Sequence, residues 1–114
     1  MDFEQIWELI APAVDLADEG VTKETVWEGL QNGSLLCFCK PGAAAITITA
    51  ANNRLRVAFA GGKLDVLQKI DKDIARYAKA AGYRGVEIIG RPGWERALPN
   101  YEKAAIVLRQ DFKS

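Results

Sequence analysis

A chain of 114 residues, 49% hydrophobic and 26% charged, is long enough for one packed core and short for two. Fifteen Lys and Arg balance fifteen Asp and Glu, so bulk charge directs the chain neither to nucleic acid nor to an anionic membrane. No apolar run approaches the roughly 18 residues of a membrane span, and the opening "MDFEQIWELI" is acidic and amphipathic, unlike a secretory leader.

Phe3, Ile6, Trp7, Ile10, Val14 and Ala17 recur at helical spacing, which predicts a helix over 3–17 with Asp2 as its cap. Pro12 interrupts that pattern and predicts a kink or two short helices. Thr22 caps a second helix carrying Val26, Trp27 and Leu30, and Gly33 suits its left-handed end. Trp7 and Trp27 lie on apolar stripes and read as core.

Three strands follow: "LLCFC", "AAAITITA" and "RLRVAFA", separated by "PG" at 41–42 and "NN" at 52–53. Such short turns make an antiparallel meander. Cys37 and Cys39 share a strand face. The chain has no His, which argues against zinc, so both read as small buried residues in a reduced compartment.

Leu64, Leu67, Ile70, Ile74, Tyr77, Ala78 and Ala81 form one stripe over 64–81, with Gly82 as the stop. "GVEIIG" is a short buried strand, so strand, helix and strand imply a parallel crossover. "RPGWERAL" holds a short helix ended by Pro99, and "KAAIVLRQDF" is a single final strand. The order is α-α-β-β-β-α-β-α-β: one α/β domain over 1–114, a mixed sheet with helices on both faces.

The junction "VAFAGGKLDVL" is a strand, a Gly pair and a helix N-terminus, an arrangement that can hold a phosphate. With the meander before it, the helix "DIARYAKAAGYRGVEIIG" after it and "ALPNYEKAAIVL" near the end, the chain resembles the GNAT acyltransferase superfamily over nearly its whole length. "GRPGW" is similar to small GNAT-like proteins encoded by tailed bacteriophages.

The resemblance implies that Ala60, Gly61, Gly62 and Lys63 occupy the place of the coenzyme A pyrophosphate loop. It implies Tyr101 as the acid for a leaving thiolate and leaves Glu87 as the carboxylate available as a base. The chain departs from the family in its parts. The family's loop has Gln or Arg, two residues, Gly, one residue, then Gly or Ala; here no Gln or Arg is in register. The meander has no carboxylate, the family's first strand is missing, and one strand closes the sheet where two are expected.

Arg91, Trp94 and Arg96 follow the end of a sheet strand, where ligands and partners dock. Two readings stand. One is a non-catalytic, protein-binding GNAT-like phage module without cofactor, in the host cytoplasm or the virion. Its partners would be phage structural proteins or further copies of itself. The other is a minimal N-acetyltransferase using acetyl-coenzyme A. A nucleic-acid role for Arg54, Arg56 and Arg91 ranks third, because the chain is neutral. On the first reading the strands of Val57 and Val86 lie side by side and parallel, their gap narrow or plugged by Phe59 or Trp94.

Overall fold

The computed structural model describes residues 2–17, 20–89, 102–104 and 107–112. Helix α1 spans Phe3–Ala17 and α2 spans Lys23–Asn32. The meander is β1 (Leu36–Lys40), β2 (Ala43–Thr49) and β3 (Arg54–Gly62). Helix α3 (Leu64–Ala80) and β4 (Gly85–Ile89) follow, then β5 (Glu102–Ala104) and β6 (Val107–Asp111). The sheet order is β1-β2-β3-β4-β6-β5, with β3 and β4 parallel and all other neighbours antiparallel.

Caps fall where the sequence places them. The Thr22 hydroxyl accepts from the Thr25 N–H at 3.2 Å, and Gly33 sits at φ 83°. Helix α3 ends with Gly82 at φ 86°, and the Tyr83 N–H returns to the Ala78 carbonyl. That return bond satisfies a last-turn acceptor only when the intervening residue is left-handed.

Two expectations are corrected. Helix α1 runs unbroken through Pro12 and is not two short helices. Pro12 is exposed, and on the solvent side of a helix water can replace the bond that a proline cannot make. The final segment is a hairpin of two strands rather than one strand, with Ala104 paired to Val107. Its link, Ala105 and Ile106, carries no turn-forming residue, so the reversal leaves no local mark. The helix expected in "RPGWERAL" lies outside the described residues.

The sheet separates two cores. On one face α3 lays Ile70, Ile74 and Ala78 over Ala45, Leu55, Val57, Val86 and Ile88. On the other, Ile6, Ile10 and Val14 of α1 and Val26 of α2 cover Ala44, Ile46 and Phe59. Ile74 is 2% exposed; Ile74→Ala is expected to cost about 2 to 5 kcal/mol in urea unfolding, and a loss below about 1 kcal/mol would put this face of α3 elsewhere. Tyr77, expected against the sheet, is 42% exposed and meets Phe38 of β1 edge-on at 5.5 Å.

Trp27 departs furthest from expectation: it is 44% exposed. Helix α2 buries Val26 and Gly29, and the residue after Val26 is turned about 100° away. Trp7 is half-buried against the α1 core, as its stripe implies.

Candidate functional site

The strand-to-helix junction is built differently from a free loop. Gly61 and Gly62 belong to β3 and pair with Ala44 and Ala43 of β2. A Cβ on Gly61 would collide with the Leu9 carbonyl oxygen of α1. Gly62 has φ 116°, and a Cβ there would collide with the Gly42 carbonyl oxygen and crowd Ala43. The first glycine therefore admits α1 onto the sheet, and the second turns the chain beside the start of β2. The Lys63 N–H donates to the Gly42 carbonyl at 2.9 Å.

Helix α3 thus starts at Lys63 without a side-chain cap, and Asp65 stands in its first turn. That carboxylate already answers the positive end of the helix dipole. Ala60 faces the α3 core. Lys63 is exposed, its stem over Gly42.

Beyond this junction the two parallel strands part. Pairing of β3 with β4 runs from Arg54–Gly85 to Val57–Ile88 and stops, while β3 continues to Gly62. Ala58 is an extra residue there: Ile46 pairs with Phe59 and Thr47 with Val57. The bulge places Ala58 and Phe59 together on the α1 side. From Ala58 to Gly62 the β4-side edge of β3 has no strand partner among the described residues.

The space between β3, β4 and α3 is a cavity of about 30 Å³ lined by Val57, Ala60, Leu67, Ile70, Ile74 and Ile88 among others. That is room for a water or two, not for an extended thioester arm. Phe59 is not the cavity's plug, because the bulge turns its ring to α1 among Ile6 and Ile10. Trp94 lies outside the described residues.

Glu87 is 1% exposed on the sheet face away from α3. Its Oε1 accepts from Arg56 Nε at 3.2 Å and Nη2 at 2.9 Å, with Asn52 Nδ2 at 3.5 Å. Across the sheet the register runs Arg56, Glu87, Arg109, Glu102, alternating in sign over four strands. Two register positions away, Arg54 is 4% exposed and grips Asp111 through Nε–Oδ1 at 2.6 Å and Nη2–Oδ2 at 2.8 Å. The hydrogen bonds that Arg54 donates to Asp111 raise its pKa further above the usual value. Gly85 sits in register between them, and a Cβ there would collide with the Gln110 carbonyl and crowd Asp111 Oδ1 at 2.7 Å.

Of the residues singled out from the sequence, the structure brings Ala60, Gly61, Gly62 and Lys63 together and sets Glu87 against Arg56. Tyr101, Arg91, Trp94 and Arg96 lie outside the described residues. The Arg54–Asp111 pair was missed; the only hint is the polar alternation "RLR" in β3 and "RQD" in β6.

The cysteines divide. Cys37 is half-buried, and burial, then the neighbouring Cys39, push its thiol up to about 12. Cys39 is exposed, which corrects the expectation that both are buried, because β1 is the sheet edge and α2 covers only its start. Iodoacetamide at mildly alkaline pH is expected to label Cys39 and spare Cys37, read by mass spectrometry; equal labelling would contradict the burial of Cys37. The unfolded thiol ionises from about 9 upward while the folded one keeps its proton to about 12. The contribution of Cys37 to stability is therefore complete below pH 9 and lost as pH rises toward 12.

Among the described residues no three of His, Cys, Asp and Glu converge as a metal site requires, and no helix is long and apolar enough to cross a membrane. No family model, curated protein or solved structure matches this chain, so the GNAT likeness rests on the element order and the residues quoted above.

Proposed function

We propose that this chain is a GNAT-like module that does not transfer acyl groups and works by binding protein, of the kind tailed bacteriophages encode. The observation that carries the reading is the junction. A coenzyme A pyrophosphate needs several backbone N–H groups aimed at one point. Here Gly61 and Gly62 lie within β3 opposite Ala44 and Ala43, where successive N–H groups point to opposite edges rather than to one point, and the Lys63 N–H is spent on Gly42. The carboxylate left as a candidate base, Glu87, is buried, and its Oε1 is held by Nε and Nη2 of Arg56. Arg54 and Arg56 are likewise committed to carboxylates, which weakens the nucleic-acid reading.

A second reading, a minimal acetyl-coenzyme A-dependent N-acetyltransferase, draws on the bulge at Ala58 and on the edge of β3 beyond Val57, which pairs with no strand among the described residues. Such an edge offers backbone groups to the amides of a pantetheine arm. A thermal-shift titration with coenzyme A separates the two. A binder at about 100 times its dissociation constant gains about 2.7 kcal/mol, or roughly 10 °C for a domain of this size. No shift is expected. A shift of that order would favour the enzyme, and Tyr101→Phe would then lower turnover while sparing coenzyme affinity.

A further inference from the structure

The charges of this chain balance in number but not along the sequence. Residues 1–32 hold eight acidic residues and one lysine, while residues 33–114 hold seven acidic and fourteen basic ones. The fold sets α1 and α2 on one face of the sheet and α3 on the other.

On the acidic side, Glu24, Trp27, Glu28 and Gln31 of α2 share one helical stripe. With Phe3, Glu4 and Lys23 they line a surface groove. The Trp27 ring lies 4.8 Å from that of Phe3, so two aromatics form an apolar floor open to water. Lys23 is paired with Glu4, whereas Glu24 and Glu28 have no ion-pair partner among the described residues. An exposed Trp beside unpaired carboxylates is suited to a cationic side chain whose aliphatic stem covers the ring.

On the opposite side, Lys69, Lys72, Arg76 and Lys79 follow one another at spacings of three, four and three along α3, all exposed. Arg76 touches Asp73 at 3.6 Å; the three lysines have no ion-pair partner among the described residues. The stripe runs about 15 Å along the helix, against about 10 Å for Glu24 to Gln31.

We propose that the acidic groove of α1 and α2 receives the basic α3 stripe of a second copy of this chain. Both halves of the contact are in one sequence, two open carboxylates against three open lysines, and zero net charge leaves no overall repulsion between copies. Because the two surfaces lie on opposite faces, the contact is head-to-tail. It leaves one groove and one stripe open at each step, so it builds rings or open chains rather than a closed twofold dimer. The assignment names a partner for the protein-binding reading and rests on it.

Sedimentation velocity on the full chain tests this. The mean mass is expected to rise with protein concentration. The apparent dissociation constant is expected to rise at least about tenfold between about 0.1 M and about 1 M salt, as the Debye length falls from about 10 Å to about 3 Å. Glu24→Lys with Glu28→Lys should give a monomer, as should Lys72→Glu with Arg76→Glu. The two variants mixed should associate again, because one keeps a basic stripe and the other an acidic groove. All four positions are exposed, so unchanged melting curves are expected to exclude misfolding. A wild type that stays monomeric, an association indifferent to salt, or a mixture that remains two monomers overturns the proposal. So does a monomer whose α3 stripe binds duplex DNA instead. A monomer that ignores coenzyme A removes the self-association and leaves the non-catalytic reading in place; a coenzyme A-induced shift removes that reading itself.

Discussion

Gly61→Ala is expected to destabilise the protein by about 3 kcal/mol, the upper end of overpacking costs, and to lower Tm by about 12 °C. The added methyl group meets the Leu9 carbonyl oxygen, a backbone atom that no rotamer can move. Relief requires lifting α1, whose Ile6, Ile10 and Val14 form one wall of the second core. Gly33→Ala is the control. Unlike Gly61 it occupies a left-handed position, at φ 83°, and has nothing within 4 Å, so it carries only the backbone strain of about 1 to 2 kcal/mol. The comparison bears on function as well as folding. A glycine kept for a phosphate would lose ligand affinity on substitution and little stability. Gly61→Ala matching the wild type in thermal melting would release the junction from its packing role and weaken the non-catalytic reading.

This glycine pair also marks how far the sequence could be read. Features set by near neighbours were legible: the Thr22 cap, the Gly33 and Gly82 stops and the α3 stripe through Ile70 and Ile74. "AGGK" has a sound local reading as a turn, and Gly62 does have positive φ. Why Gly61 is there depends on Leu9, about fifty residues earlier, which no local pattern records. Trp27 fails for a related reason. Val26 and Trp27 are adjacent apolar residues on a ten-residue helix, and only the position of β1 decides which of them turns inward. The hairpin of β5 and β6 was hidden because Ala105 and Ile106 continue the apolar run. For the site, the sequence found the junction and Glu87, but not the guanidinium partners. Arg54 and Asp111 are 57 residues apart and meet only because β4 lies between their strands.

That pair supports the second large prediction, in which its two members are not equivalent. Arg54 is 5% exposed at its side chain and Asp111 is 44% exposed. Asp111→Ala leaves a guanidinium buried with its strongest partner gone; such orphaned charges typically cost about 3 to 5 kcal/mol. Arg54→Met leaves a carboxylate that water reaches and that Arg84 approaches at 4.0 Å, while the methionine fills much of the vacated lane over Gly85. Its cost is expected to be about 1 kcal/mol or less, since a buried ion pair replaced by apolar volume often breaks even. The double variant is then expected to match Arg54→Met alone to within about 1 kcal/mol, because the Asp111 carboxylate is largely solvated. Urea unfolding of the two single variants and the double variant measures this. Equal costs for the two single variants would mean that both charges are equally solvated, and the pair would then reduce to a surface contact. The predicted inequality instead makes Arg54–Asp111 the clasp that ties the terminal strand β6 across β4 to the meander, with Gly85 holding the lane open for it.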